Sequence, residues 1–315
     1  MLLHISKFMK IENKQIGKNN PIFIIAEAGV NHNNKLSLGY KMIDIAAKYG
    51  ADAIKFQTFV TENINLKNSI KPNYQKSIKK KNYFEIIKNL QTSFEEQKKL
   101  FNYCKKRKII FLSTPYDEES LDFLTKIGIS AFKISSSDAT NHLFLKSVLK
   151  KKKPILLSTG LTSEKHVEET IKLIKEFKMV KKLILFQTTS DYPTKNTDVN
   201  LKVISEYLKK YNVLVGFSDH TQDDTASLGA IAMGACIVEK HFTLNKKLPG
   251  PDHSFALDPL ELKKMINAIR NCEKCLGSRE KIVQDYELEL RDFAQRSIQC
   301  IKNISKGESF LEGIN

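Results

Sequence analysis

The sequence predicts an α/β protein of the (β/α)8 TIM-barrel class, one large domain followed by the beginning of a small one. Three observations carry this. Short β-type runs alternate with longer amphipathic segments eight times in order. The runs lack strict polar–apolar alternation, which marks strands buried on both faces, as in parallel sheets. Ser, Thr or Asp follows many of them, where a helix N-cap belongs. A doubly wound sheet is the competing architecture, but it usually carries a Gly-rich phosphate turn after its first strand, and AEAGVNHNN is not that turn.

The strands are expected at Pro21–Val30, Ala51–Phe59, Ile109–Pro115, Ala131–Ser136, Pro154–Gly160, Leu183–Ser190, Val213–His220 and Cys236–Leu244. The helices are expected at Leu36–Tyr49, Ser93–Arg107, Asp117–Ile127, from about His142, from Thr162 or Ser163, near Leu201–Lys210, across Asp224–Gly234 and at Pro259–Cys275. A long polar connection runs from Val60 to about Gln91. The barrel domain is placed at residues 1–280 and a linker with a helix near Gln284–Phe293 at 281–295. In residues 296–315, RSIQCI reads as a strand and SKGE as a turn, the opening of a second domain too short to fold alone.

Bulk properties narrow the function. A hydrophobic fraction of 41% and a charged fraction of 27% are those of a soluble globular chain. No apolar run approaches a membrane span, and MLLHISKFMKIENK lacks the apolar core and cleavage site of a signal peptide. Five scattered cysteines suit a reducing cytosol, so a cytoplasmic protein is expected. Cys272-x-x-Cys275 has no second pair to complete a zinc site. The net charge of +16 comes from lysines spread along the whole chain. Without a basic segment interleaved with aromatics it does not point to nucleic acid; a positive field equally steers a small anionic substrate. Lys79–Lys81 and Lys150–Lys153 are expected to be solvated.

The chemistry concentrates at strand ends, where barrel enzymes carry it. Those ends read Glu27, Lys55 and Gln57, Ser113-Thr114, Lys133 with Ser135-Ser136, Ser158-Thr159, Thr188-Thr189-Ser190, Ser218-Asp219-His220 and Glu239-Lys240-His241. Lysines and hydroxyls around one opening suit a phosphate and a carboxylate. Two imidazoles, His220 and His241, close successive strands and can converge on a divalent ion such as Mn, Fe, Co or Zn. Glu27, in an apolar strand, must be paired or functional.

With these residues in place, the chain resembles the sialic acid synthase family, which condenses phosphoenolpyruvate with an N-acetylated amino sugar. The matching segments are IIAEAGVNHNN, GADAIKFQTF, FLSTPYD, FKISSSD, PILLSTG, QTTSDYPT, GFSDHT, EKHFTL and GPDHSF, in order across the whole barrel. The tail RSIQCIKNISKGESF resembles the opening of the family's C-terminal antifreeze-like (SAF) domain. The resemblance implies a metal-assisted reaction with C–O cleavage and release of phosphate. His220 and His241 would bind the metal, usually Mn2+. Lys55, Thr114, Lys133, Ser136, Ser158 and Ser218 would hold phosphoenolpyruvate, with Ser190 in the same shell. Glu27, Gln57, Tyr192 and Asp252 would contact the sugar, and Glu27, Lys55 and Lys133 are the catalytic candidates. It also implies a homodimer, in which the full C-terminal domain delivers an arginine to the partner's sugar; only the start of that domain is legible here.

N-acetylmannosamine giving N-acetylneuraminate is the first acceptor to consider. A diacetamido sugar giving N,N'-diacetyllegionaminate follows, because KPNYQ and DHSFALDP resemble that branch, and pseudaminate synthesis is third. A Schiff-base aldolase through Lys55 or Lys133, and an inactive truncated barrel kept for dimerisation, are the readings from other classes. Four positions depart from the family pattern: Ser137 and Asp138 in KISSSD, Asn34 where GVNHNG is usual, and Gln187 where histidine is frequent. Asn34 is expected to tolerate positive φ.

Overall fold

The computed structural model describes residues 8–68 and 82–315. The segments MLLHISK, KPNYQ and Lys79–Lys81 lie outside them. The chain forms two compact units, 1–276 and 277–315.

The first unit opens with a hairpin, β1 (Phe8–Ile11) and β2 (Lys14–Gly17), that was not expected from the sequence. Its signal was the alternation in FMKI, whose Met9 and Ile11 are buried and whose Phe8 and Lys10 are exposed. A barrel follows: β3 (Phe23–Gly29), α1 (Leu36–Tyr49), β4 (Ala53–Thr58), two short helices α2 (Thr61–Ile64) and α3 (Tyr83–Leu90), α4 (Phe94–Arg107), β5 (Ile110–Pro115), α5 (Glu118–Ile127), β6 (Phe132–Ile134), α6 (His142–Lys150), β7 (Ile155–Ser158), α7 (Glu164–Glu176), β8 (Leu183–Gln187), α8 (Lys202–Tyr211), β9 (Leu214–Asp219), α9 (Thr225–Ala232), β10 (Ile237–His241) and α10 (Pro259–Leu276). The eight strands β3 to β10 are parallel and closed, β10 pairing with β3. The expected barrel is therefore observed, with strands one to four residues shorter at their ends. The polar connection supplied the surprise: α3 is started by a capping box, Asn82 with Glu85.

Capping explains where the other helices begin. Ser93, Asp117, Asn141 and Ser163 each accept a backbone N–H of the first turn of α4, α5, α6 and α7. Gly50 and Gly128 end α1 and α5 in the left-handed region that a terminating residue needs. Asn34 has φ +54°, as expected for an asparagine in place of glycine.

Side chains alternate between two cores. Outward residues such as Ile24, Ala26, Ile54, Phe56 and Phe111 pack under the helices with Met42, Leu100 and Phe101. Inward residues Phe23, Ile25, Ala53, Leu112, Leu156, Ile184, Phe186 and Ile237 fill the barrel together with Met9, Ile11 and Ile16 of the hairpin. The hairpin thus supplies the apolar plug of one end, and the Lys14–Asp52 ion pair at 2.8 Å ties it to the barrel. Arg270 of α10 reaches the other oxygen of Asp52 at 3.1 Å and also donates to the Ile22 carbonyl.

The second unit contains the short helix α11 (Leu288–Ala294) and, among residues 277–315, no strand. RSIQCI was expected to be one and is not. An isolated extended segment has no neighbour to bond its N–H and C=O groups, so it gains nothing from the strand conformation. The turn expected at SKGE is present, with Glu308 N donating to Ser305 O at 3.0 Å. Among the described residues no helix is long and apolar enough to cross a membrane.

His32 is buried, its Nδ1 accepting from Asn34 N at 3.1 Å, and burial lowers its pKa to about 4. The unfolded chain would take up a proton near pH 6.5, whereas the folded chain resists until about 4. This stability contribution is full above pH 6.5 and is lost as pH falls. Urea unfolding at pH 7.5 and pH 5 should show a steeper decline for the wild type than for His32→Gln, by on the order of 2 kcal/mol.

Candidate active site

Period-two alternation decides which side chains meet. From the barrel floor upward, the inward positions run Phe23, Ile25, Glu27 on β3 and Ala53, Lys55, Gln57 on β4. On β10 they run Ile237, Glu239, His241. Each strand is apolar inward in its lower half and polar in its last turn. Register aligns these turns: Glu27 lies opposite Lys55 and opposite His241, and Glu239 opposite Ser218. The result is a cavity of about 560 Å³ at the carboxyl ends of the strands. Glu27, Lys55, Gln57 and Thr114 enter from β3, β4 and β5, and Lys133 with Ser136 from β6 and the turn after it. Ser158, Ser190, Tyr192, Ser218, His220 and His241 complete the ring. Asp252 lines an adjoining chamber that shares Gln57, Tyr192 and His241.

Four buried charges form the base of the cavity. Lys55 Nζ is 2.9 Å from Glu27 and 3.6 Å from Glu239, and Lys133 Nζ is 3.2 Å from Glu239. Thr114 accepts from Lys55 at 3.3 Å, and Ser218 donates to Glu239 at 3.2 Å. Beneath them lies the Phe186 ring, its centroid 5.2 Å from Lys133 Nζ. Gly216 is required there, because a Cβ would strike that ring at 2.8 Å. Burial pushes Glu27 up to about 7 against the pull of Lys55. Burial also opposes ionisation of Glu239, but Lys133 and Lys55 outweigh it and hold its carboxyl below the usual value. Lys133 is lowered by burial, and Lys55 is raised by its two carboxylates despite burial.

The two predicted metal histidines face each other with ring centroids 5.6 Å apart. His220 Nδ1 lies 2.7 Å from the Thr189 carbonyl, so this nitrogen carries the proton and Nε2 keeps its lone pair. His241 Nδ1 is buried without a hydrogen-bond partner among the described residues. Burial lowers His220 to about 4 and His241 well below the usual value, so both are neutral near pH 7. Two neutral imidazoles with free lone pairs are donors that suit a divalent cation such as Mn2+, and His220 and His241 are the residues that would hold it. The Tyr192 ring centroid lies 4.3 Å from that of His220, tilted, and 5.8 Å from that of His241, edge-on.

Across the cavity, Gly160 N donates to Ser136 Oγ at 3.0 Å. Any side chain at Gly160 would collide with the Ser136 and Ser190 hydroxyls. The bare backbone therefore holds open a cradle walled by those hydroxyls, Ser158 and Lys133. On the other side, Glu27 Oε1, Gln57 Nε2 and Asp252 Oδ2 converge within 3.3–3.8 Å of the point a Gly29 Cβ would occupy. Gly29 has φ +49°, a second reason for glycine there.

Other strand-end residues are structural. Asp219 bonds Thr221, Ser227 and Lys240 on the outward face. Gln187 donates to the Val199 carbonyl. Thr159 Oγ1 donates to the Phe186 carbonyl and lies 3.1 Å from the Tyr207 hydroxyl. His253 spans Thr243 and Asn33 and holds the loop that carries Asp252. Of the departures in KISSSD, Ser137 lines the cavity and Asp138 accepts from Asn141. The sequence named Glu239, Ser135 and Thr188 among the strand-end groups but assigned them no role, although EKH presents Glu239 at the same parity as His241. Tyr83 and Tyr116 were missed; Tyr83 lies in the long polar connection and had no motif to mark it.

Residues 42–281 match the NeuB family. The chain belongs to the NeuB family. The resemblance to sialic acid synthases read from the sequence is thereby borne out. The NeuB-family chain is 39% identical over 293 residues to the N,N'-diacetyllegionaminic acid synthase of Campylobacter jejuni, spanning 92% of this chain and 88% of the relative. It is 38% identical over 308 residues to a pseudaminic acid synthase of the same species, spanning 95% and 88%. A solved N-acetylneuraminic acid synthetase of Leptospira borgpetersenii, in complex with citrate, superposes with a TM-score of 0.80 at 32% identity, covering 94% of this chain and 100% of that one.

Glu239 is the shared counter-charge of two buried lysines. Removing it leaves both cations uncompensated, so Glu239→Ala should lower unfolding free energy by roughly 3 kcal/mol. Adding Lys133→Met should recover a good part of the loss in the same urea titration.

Proposed function

We propose that this NeuB-family enzyme condenses phosphoenolpyruvate with an N-acetylated amino sugar to give a nonulosonic acid and phosphate. The supporting observation is the division of one cavity into a cationic, hydroxyl-lined half and a half bearing carboxyl and amide groups, with two neutral histidines between them. The Gly160–Ser136–Ser190 cradle and Lys133 suit the phosphate, and Lys55 with Thr114 suits the carboxylate. C3 of phosphoenolpyruvate attacks the open-chain sugar aldehyde, water adds at C2, and phosphate leaves with C–O cleavage. His220 and His241 would hold a divalent cation, which supplies Lewis-acid polarisation of the aldehyde when bound. The lysines offset negative charge on the enolpyruvyl group throughout. Glu27, poised near neutrality by burial, accepts a hydrogen bond or proton from a sugar hydroxyl.

A Schiff-base aldolase draws on the lowered pKa of Lys133, but that ammonium is engaged by Glu239, and borohydride is expected to trap no adduct.

The test is phosphate release from phosphoenolpyruvate with N-acetylmannosamine and with a diacetamido hexose, with and without Mn2+. Release should require both an amino sugar and a divalent cation. No release from any pairing overturns the reading. Mn2+ should also raise the melting temperature of the wild type and leave that of His220→Ala/His241→Ala unchanged, a readout independent of turnover.

Glu27→Gln gives a separate prediction. Only the ionised carboxylate accepts a proton, so wild-type kcat/KM should rise with pH through about 7. The variant should lose that inflection and at least about 100-fold in kcat. Full turnover by Glu27→Gln removes the proton-transfer role.

A further inference from the structure

Asp252 reaches the cavity from a loop, whereas its neighbours Glu27 and Gln57 are fixed by strands β3 and β4. Residues 242–258 connect β10 to α10 and carry it near their middle. Its carboxyl points to the spot beside Glu27 and Gln57 that Gly29 keeps open. Among the described residues no hydrogen bond fixes that carboxyl, and burial alone pushes it up to about 7. The place of Asp252 is therefore set by the loop.

This loop is closed at its base and clasped near its tip. At the base, Leu257 N donates to the His241 carbonyl and Thr243 N to the Leu257 carbonyl, both at 2.8 Å. Asn31 Nδ2 adds a bond to the Phe242 carbonyl at 3.0 Å. The tip is held by His253, which is only 1% exposed. Asn33 Nδ2 donates to the Pro249 carbonyl at 2.9 Å, which turns its Oδ1 toward His253 Nε2, 3.2 Å away. An amide oxygen only accepts, so Nε2 carries the proton and Nδ1 keeps its lone pair. Thr243 Oγ1 donates to that lone pair at 2.7 Å. Burial lowers His253 to about 4, so this neutral tautomer persists near pH 7. Gly250 lets the ring lie against the loop backbone, since a Cβ there would strike its Cδ2 at 2.6 Å. Asn33 has φ +49°, a conformation that asparagine tolerates better than most side chains.

The imidazole thus ties together the segment after β3, the end of β10 and its own loop, one residue from Asp252. Two residues further on, the Phe255 ring packs with its centroid 5.2 Å from those of His241 and Tyr192. Asn33 and His253 line neither the main cavity nor the adjoining chamber. They can act on a ligand only through what they hold. The cradle of Gly160, Ser136 and Ser190 belongs to the opposite sector, and among the described residues it shares no hydrogen bond with this loop.

We propose that Asn33 and His253 are positioning residues for the acceptor: their clasp holds Asp252 beside Glu27 and Gln57 in the geometry that receives the amino sugar, and leaves the phosphoenolpyruvate half of the cavity unaffected. This rests on the condensing activity proposed above.

The experiment follows phosphate release by wild type, His253→Ala, Asn33→Gly and the double variant. Phosphoenolpyruvate and the acceptor are varied separately, using whichever of N-acetylmannosamine and a diacetamido hexose the wild type turns over faster. His253→Ala should lower kcat/KM for the acceptor about 10- to 100-fold and leave KM for phosphoenolpyruvate within about twofold, because a displaced orienting group penalises only the substrate it orients. Asn33→Gly keeps the left-handed backbone and should reproduce the defect. The double variant should be no worse than the more impaired single one, as expected of two residues acting as one unit. Melting temperatures check that the variants fold; if His253→Ala does not, Asn33→Gly carries the kinetic comparison. Unchanged acceptor kcat/KM in the folded variants, an equal rise in KM for both substrates, or additive losses in the double variant each overturns the proposal while leaving the condensing activity intact. Absence of phosphate release by the wild type with either sugar overturns that activity and the positioning role together.

Discussion

The site depends on one constraint: two lysines and two glutamates must share the buried base of the barrel mouth. Lys55, Lys133, Glu27 and Glu239 are all under 5% exposed. Taken singly, each charge would be strongly disfavoured there. Together they neutralise one another through contacts of 2.9–3.6 Å. The balance is unequal, because burial pushes Glu27 toward its neutral form while Glu239 stays ionised. A ligand with several negative charges can take over as counter-ion to the lysines without disturbing the fold. The network is thus both a liability for stability and a preorganised anion receptor.

What holds this network in place is apolar. Phe186 fills the barrel beneath Lys133, and Gly216 makes room for the ring. Below that floor come Phe23, Ile25 and Leu112, then Met9, Ile11 and Ile16 from the hairpin. The lysine heads cannot withdraw downward into hydrocarbon, so they remain at the level of the cavity. The hairpin therefore contributes to the site at a distance by completing the layer on which the charged layer rests.

Much of this was legible before any coordinates. Eight strand runs ending in polar residues indicated the barrel and its working end, and placed His220 and His241 at the ends of successive strands. Parity explains the success: strand residues two apart share a face, so a local pattern already separates inward from outward positions. Glu239 shares that inward parity with Ser218, His220 and His241, but parity places a residue at the mouth without saying which charges it meets there, so its role as counter-charge to two lysines was not legible.

The sequence by itself determined the fold class, the family and the inventory of reactive groups, because periodicity, caps and ordered motifs are local properties of the chain. Tertiary structure decided the rest. Which lysine meets which carboxylate depends on strand register around a closed barrel. The protonation of Glu27 and of the histidines depends on burial. The chamber that Asp252 lines draws Val30 and Phe59 from strand ends, Ile64 from α2, and Ile87 and Leu90 from α3. Positions that far apart in the chain share no local pattern. Only the packing of α2 and α3 over the ends of β3 and β4 brings them to one wall.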